Sequence, residues 1–497
     1  MEPSKDILLL YPRCGKYDLF IVDMPLGLLY IARLLEKQGY RVHIFDERVE
    51  ERGDERLAEL LALNPLWVGF SIMTGEPIRH ALRLAEIVRS GTTAPLVWGG
   101  IHPTILPEQT LANPFVDFII MGKGEVAGLV FTQYLLGEKT REEVPGLGWM
   151  EGLEVRLNPE DREGDWKEMP LVNYELISVN KYGRVGFEKN IFSILTSRNC
   201  PYKCTFCYNS SLKESKPWLP DSVGYVERHI LHILERYDPD YLSFIDDDFF
   251  VDLKRARRIL EFLEKNMKRG MRVGFRGARI SDLLRLDDDF YRLMERVNTT
   301  HINIGVESGS KRILEIIKKG MTPDMALKAN RILANYSFTP LYNFFSGIPQ
   351  EDVEDIKMST DLLLQLVKDN PRCQISGYHQ YTPYPGNALF NDAVVAGFHP
   401  PATLEEWGSR RFEDNALNCP WINPERNRLL DMIYSMVYFV DSKYDDYIAN
   451  HKWYLKALLP LVRLYKPIAR LRLRYHFKAI PIEVYCNKII YKLLGKE

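Results

Sequence analysis

The chain has 497 residues, enough for two to four domains, and its 46% hydrophobic and 27% charged content is that of an ordinary globular protein without low-complexity tracts. A net charge of -2 gives no field that would gather nucleic acid or another polyanion. Seven cysteines, a polar start at Met1–Lys5 and no long apolar span point to a reducing cytoplasm, and away from a secreted disulfide scaffold or a transmembrane helix.

Residues 1 to 140 alternate apolar runs with helical periodicity. Ile7–Tyr11 reads as a strand stopped by Pro12, and Pro25–Lys37 as a helix ended near Gly39. Val42–Asp46 is a second strand, and Leu57–Leu63 a helix closed by Asn64-Pro65. Trp67–Ser71 and Leu96–Gly100 are strands on either side of a helix from Ile78 to Arg89, and Phe118–Gly122 is a fifth strand. This order predicts an α/β, doubly wound, parallel, Rossmann-like sheet, which receives its ligand at the carboxyl ends of the strands. The loops there are Pro12–Gly27, Ser71–Glu76, Gly99–Thr104 and Gly122–Glu125. They are rich in small residues that let backbone approach a large ligand. A nucleotide or a flavin satisfies them as well as any other large cofactor.

Residues 141 to 190 hold Pro145, Gly146, Pro159, Pro170 and the charged run Asp161–Glu168. They read as a linker with short strands such as Gly148-Trp149-Met150. From 191 to 395, six strands alternate with helices: Ile191–Thr196, Tyr241–Ile245, Arg272–Arg276, His301–Val306, Pro340–Phe345 and Cys373–Gly377. Six such units predict a partial (β/α)6 TIM-like barrel with functional residues at strand carboxyl ends. Asp246-Asp247-Asp248, Arg276, Arg279, Glu307-Ser308-Gly309, Gly347-Ile348-Pro349 and Tyr381–Gly386 stand there. Adjacent carboxylates are costly unless they cap a helix or meet a positive group. The arginines suit a carboxylate ligand or an intrabarrel ion pair.

Directly after the first of these strands comes Ser197-Arg198-Asn199-Cys200-Pro201-Tyr202-Lys203-Cys204-Thr205-Phe206-Cys207-Tyr208. Three thiolates at C-x3-C-x2-C can hold three irons of a [4Fe-4S] cluster and leave the fourth iron open for a small molecule. Zinc wants a fourth protein ligand, for which Asn199 and Tyr208 are poor choices, and an odd number of cysteines does not make a disulfide framework.

The loop resembles the signature of radical S-adenosylmethionine (radical SAM) enzymes, whose open iron chelates the amino and carboxylate groups of SAM. The resemblance implies iron ligation by Cys200, Cys204 and Cys207. It also implies SAM contacts from Phe206, from Asp247 or Asp248 (without a choice between them), and from Arg279, Glu307 and Ser308, with adenine beside Gly347-Ile348-Pro349 and Tyr381–Gly386. In the first domain, Pro25-Leu26-Gly27-Leu28-Leu29-Tyr30, Gly99-Gly100-Ile101-His102-Pro103-Thr104 and Gly122-Lys123-Gly124-Glu125 look like the cobalamin-binding domain that precedes many radical SAM barrels. The cobalamin contacts implied are Pro25, Leu26, Gly27, Ser71, Met73, Thr74, Gly99, Gly100, His102, Gly122, Gly124 and Glu125. The D-x-H-x-x-G motif that supplies a cobalt-ligating histidine in many such domains is absent, since no His occurs between Tyr11 and His43. His102 then either bonds backbone in its turn or lies near the nucleotide tail. A chain of this kind is expected to cleave SAM to methionine and a 5'-deoxyadenosyl radical. Its commonest use is C-methylation at an unactivated carbon through methylcobalamin; cyclisation or rearrangement is the alternative. A reducing partner such as flavodoxin or ferredoxin is implied.

Residues 396 to 497 form a helical region. Glu405-Glu406-Trp407, Trp421 and Asn427–Tyr438 are expected to cap the barrel mouth, and Cys419 reads as a buried thiol. In the tail, Trp453–Leu494, apolar Leu455, Leu458, Leu459, Val462, Tyr465, Ile468 and Leu471 alternate with Arg463, Lys466, Arg470, Arg472 and Arg474. Pro460 and Pro467 are expected to kink or break this stretch, so that it is not one continuous helix. A basic amphipathic tail suits either packing on its own protein or contact with an anionic inner-membrane surface, where a lipid, tetrapyrrole or other apolar substrate would be at hand; a peptide substrate fits the barrel mouth as well. A non-catalytic corrinoid or cluster sensor at a membrane is the reading from another class.

Overall fold

In a computed structural model, residues 4–15, 18, 21–160, 169–184, 190–211, 218–410, 419–449, 456–457 and 459–477 are described. The charged run 161–168 and the tail residues 453–455, 458 and 478–494 lie outside them.

The first sheet holds β1 (Asp6–Tyr11), β2 (Arg41–Asp46), β3 (Val68–Ser71), β4 (Leu96–Gly99), β5 (Phe118–Ile120), β6 (Leu147–Glu151) and β7 (Glu154–Leu157), in the order β2-β1-β3-β4-β5-β6-β7. The first five are parallel. Side chains alternate across the sheet, as the two-residue strand period requires. Ile7 and Leu9 enter a core with Leu28, Ala32 and Phe131 on one face, and Leu8 and Leu10 enter a second core with Leu57, Leu84 and Trp98 on the other. Helices therefore cover both faces, which is why these strands read as continuous apolar runs.

The short strands expected in the linker belong to this sheet instead. β6 pairs antiparallel with β5, and β7 pairs with β6 through a hairpin. An open parallel edge at β5 would leave a row of unpaired backbone groups, and the hairpin covers it.

The second sheet holds β8 (Ile191–Ile194), β9 (Tyr241–Phe244), β10 (Arg272–Ala278), β11 (Thr299–Glu307), β12 (Thr339–Ser346) and β13 (Gln374–Gln380), all parallel and adjacent in sequence order. Among the described residues β13 does not pair back to β8, so the barrel is open, as six units predict. Along β11, buried Ile302, Ile304 and Val306 alternate with half-buried Asn303 and Gly305 that face the lumen.

The two units share a core. Met24, Leu26, Leu29 and Tyr30, around the start of the Leu26–Lys37 helix, join one cluster with Phe192 and Ile194 of β8 and Val226 and Ile230 of the Val223–Arg236 helix. A shared apolar interface of this kind fixes the first sheet's carboxyl ends against the barrel rather than leaving a hinge.

Two C-terminal expectations change. The Leu404–Gly408 helix does not cap the barrel. Trp407 is buried in the first unit's core, and its Nε1 donates to Gln109 Oε1 at 2.8 Å. The tail, expected to break at its prolines, is one helix from Leu459 to Arg474. Pro460 sits in its first turn, where no backbone donor is needed. Pro467 faces solvent, so water can replace the single bond it costs.

Candidate functional site

The cysteine loop leaves β8 through the short strand Ser197–Arg198, paired with Leu219–Pro220. Asn199 then takes φ +61°, a left-handed turn that asparagine tolerates better than most residues, and so delivers Cys200 at the carboxyl end of the barrel. The loop is pinned from outside by Thr205 N donating to Ile317 O at 3.1 Å, and tightened from within by Cys207 N donating to Cys204 O at 3.2 Å. Burial pushes the Cys200 thiol up to about 12 and the Cys207 thiol up to about 11, so both stay protonated until a metal displaces the proton. Among the described residues no three His, Cys, Asp or Glu side chains converge on a single metal ion. The donor set fits a cluster, in which each thiolate takes a separate iron.

The second strand's acidic run divides its labour. Asp246 is buried and fully engaged, accepting from Thr196 N at 3.2 Å, Thr196 Oγ1 at 2.8 Å and Ser197 Oγ at 2.5 Å. It ties β9 to the root of the cysteine loop. Asp247 is half-buried and accepts from Tyr208 Oη at 2.7 Å. Asp248 is buried; its Oδ1 takes Phe250 N at 3.0 Å, and its carboxyl is within hydrogen-bonding reach of the Asp282 carboxyl. Burial and then the neighbouring Asp282 carboxylate push Asp248 up to about 8. A buried carboxyl pair of this kind beside the cluster loop fits a cationic group of a ligand, which would favour its ionised form.

Arg279, expected to meet SAM, lies against the cluster loop itself. Its Nη1 donates to Cys204 Sγ at 3.2 Å, its Nη2 donates to Lys319 O, and its guanidinium lies 3.8 Å from the Tyr202 ring centre. A cation there stabilises a thiolate. Tyr202 Oη in turn donates to Asp282 at 2.7 Å.

Glu307 ends β11 at φ +71° and receives Lys319 Nζ at 2.7 Å, both groups buried. Gly305 makes room for that pair, since a Cβ there would lie 2.2 Å from Glu307 Oε1. Ser308 is buried and engaged with Ser359 Oγ at 3.0 Å and Ser310 N at 3.1 Å, so it shapes the turn. The Phe206 ring packs on Phe345 at 4.8 Å between centres. The Gly347-Ile348-Pro349 loop is held from the C-terminal region: Trp421 Nε1 donates to Gly347 O at 2.8 Å, and Arg426 Nη2 to Ile348 O at 3.2 Å. Sequence reasoning missed Lys319, Tyr202 and Arg426. Each acts through a contact more than ten residues distant; Tyr202 stands inside the cysteine motif, but at one of its unspecified positions.

In the first unit a cavity of about 290 Å³ runs from the ends of β1, β3 and β4 between the sheet and the helices Leu26–Lys37 and Gly124–Leu135. Gly27, Ser71, Gly99, Gly100, Gly122, Gly124 and Glu125 line it, so seven of the expected cobalamin contacts come together. A Cβ at Gly100 would lie 2.7 Å from Ile72 O, so only glycine lets the chain turn there. Its size fits one narrow arm of a large cofactor, with the remainder outside. The other five expected contacts do not line it. Leu26 is in the shared core, Pro25 precedes the helix, Met73 is exposed, and Thr74 Oγ1 lies 3.1 Å from Nδ1 of the buried His102. Burial lowers His102 to about 4 and keeps it neutral, with its ring 5.9 Å from that of Trp407.

Two residues of the cysteine loop, Arg198 and Asn199, complete the cavity wall. Arg198 Nη2 donates to Glu125 Oε1, and Arg33 stands 3.8 Å from the same oxygen. Burial works to raise Glu125, but the two guanidiniums outweigh it and hold the carboxyl below the usual range. The cluster loop and the first unit's cavity thus share one wall.

Residues 24–130 match the family model for the B12 binding domain, and residues 194–363 that for the radical SAM superfamily. The chain is 28% identical over 377 residues to an uncharacterized methyltransferase, PH0819, of Pyrococcus horikoshii, covering 75% of this chain and 78% of the relative. It is 24% identical over 474 residues to cytidylyl-2-hydroxyethylphosphonate methyltransferase of Streptomyces wedmorensis, covering 83% and 86%. In fold it is similar to the cobalamin-dependent S-adenosylmethionine radical enzyme OxsB with aqua-cobalamin and S-adenosylmethionine bound, at a TM-score of 0.76 and 16% identity over 99% of this chain and 75% of that one. With its cysteine loop at the head of an open barrel and a glycine-walled cavity beside it, the chain belongs to the radical SAM superfamily as a member with an N-terminal B12-binding domain, an enzyme whose cofactors are a [4Fe-4S] cluster, SAM and cobalamin.

Proposed function

We propose that this enzyme methylates an unactivated carbon of a small, apolar molecule. The observation that carries the proposal is the shared wall: Arg198 and Asn199 line the first unit's cavity, and Cys200 is the next residue. Groups held at the two sites would face one space, as carbon activation followed by methyl delivery requires. When bound, the cluster supplies an electron to SAM, and cobalamin supplies a transferable methyl group.

The chain's own residues do the rest. Cys200, Cys204 and Cys207 would hold three irons, with Arg279 Nη1 donating to Cys204 Sγ at 3.2 Å. The Asp248 carboxyl, paired with Asp282, and the Glu307–Lys319 pair would offer polar contacts for the amino acid end of SAM. Phe206 and the Gly347-Ile348-Pro349 loop, fixed by Trp421, would flank its adenosine. Gly27, Ser71, Gly99, Gly100, Gly122 and Gly124 would cradle the cobalamin tail; His102 is not among the residues lining that cavity. The reductant is a flavodoxin or ferredoxin, and the enzyme works in the cytoplasm.

The test is the fate of the methyl group. An anaerobic metabolite extract from a strain lacking the enzyme, incubated with reconstituted protein and methyl-labelled SAM, should yield a labelled product one methylene heavier than its precursor. Deoxyadenosine formation with an unlabelled cyclised or rearranged product would overturn the methyltransferase reading.

A further inference from the structure

The reaction leaves one built feature unused, the outer face of the C-terminal helix Leu459–Arg474. Its inner residues Val462, Ala469 and Leu473 are buried, and the helix packs on the barrel helix Val353–Asp369. Its outer face carries Leu461, Leu464, Ile468, Leu471 and Tyr475, at successive spacings of three and four residues, which places all five on one stripe. Every one is exposed, Leu464 and Tyr475 at 73%. Isolated exposed leucines are ordinary, but a continuous stripe of five marks a contact surface.

The charge beside the stripe selects the partner. Arg463, Arg470 and Arg474 are exposed along one edge of it; Arg463 Nε pairs with Asp445 at 2.7 Å and Arg470 Nη2 donates to Val440 O at 2.7 Å. Between His451 and Ile482 the sequence has eight lysines and arginines and no aspartate or glutamate. A second copy docking through the stripe would bring two such basic edges together. An anionic surface would neutralise them. The helix is 16 residues, about 24 Å at 1.5 Å per residue, short of a bilayer's hydrocarbon core, and no helix among the described residues is long and apolar enough to cross a membrane.

We infer that this helix lies in the plane of a membrane, its leucine stripe in the acyl boundary and its arginine edge on anionic phospholipid headgroups, and that it holds the barrel against the bilayer. The inference goes beyond the methyl-transfer reading and does not depend on it.

The experiment is co-flotation of the full-length protein with vesicles of phosphatidylcholine, alone or with roughly a third phosphatidylglycerol. The protein should float with the anionic vesicles, weakly with the neutral ones, and less at high salt. Leu464→Ser with Leu471→Ser, which keeps the charge and touches only exposed side chains, should lower binding at least tenfold, because each leucine buried is worth roughly 1.5 kcal/mol or more. Arg474→Gln should lower it roughly fivefold. Circular dichroism of each variant should match the parent. Absence of binding to anionic vesicles, equal binding to both vesicle types, or a dimer in light scattering that the double serine variant dissolves without any change in flotation would each overturn the inference.

Discussion

Gly277, near the end of β10, passes so close to the neighbouring strand end that a Cβ would sit 2.2 Å from Asp246 O and 2.3 Å from Asp247 O. Those carbonyls belong to the turn that presents Asp247 and Asp248, and backbone has nowhere to move. Gly277→Ala is therefore expected to cost about 1–3 kcal/mol or more, read as a lower urea midpoint, and to weaken SAM binding in proportion to the displaced turn. Unchanged stability would mean that the turn yields freely. At this scale the sequence was most legible where chemistry is covalently local. Three cysteines within eight residues name their own ligand, whereas Lys319 meets Glu307 only because β11 and the turn after Ile317 fold together. For the same reason the strand-end position of Arg279 was readable, but its hydrogen bond to Cys204 was not, since that depends on a loop 75 residues earlier in the chain.

At the scale of elements, the join between the two units rests on one buried carboxylate. Glu125, at the head of the Gly124–Leu135 helix, faces Arg198 of the cysteine loop and Arg33 of the Leu26–Lys37 helix. Glu125→Gln would remove the nearest counter-charge of buried Arg33 and partly buried Arg198 and leave them only Asp221, at a cost of up to about 3 kcal/mol, visible as a lower melting temperature. The pH dependence follows from the direction of the shift. A carboxyl held below its ordinary 4.5 contributes stability that is complete above that value and is lost as pH falls through the lower folded value. The wild type should therefore destabilise below pH 4.5 more steeply than Glu125→Gln; parallel curves would show that the pair contributes nothing. Periodicity made the strands and most helices readable. It did not reveal that Gly148-Trp149-Met150 joins the first sheet or that Trp407 returns to it, because both depend on which edge or face is left uncovered. Pro467 misled in the other direction: on an exposed helix face a proline costs one bond, not the helix.

Over the whole molecule, the α/β order of the chain announced two stacked units, and the structure adds how they meet. The first unit's opening helix shares a core with β8, the strand that carries the cysteine loop, and the cavity of one unit is walled by the loop of the other. No composition or motif states that adjacency, since it is a property of packing between units. It is also what makes the assignment testable as chemistry. After anaerobic reconstitution with iron and sulfide, wild-type protein incubated with SAM and dithionite should form 5'-deoxyadenosine, while Cys204→Ala should lose the cluster absorbance and form none. Deoxyadenosine from Cys204→Ala at the wild-type rate, or none from a wild-type protein holding its full iron and sulfide, would contradict the assignment of this loop as the site of SAM cleavage.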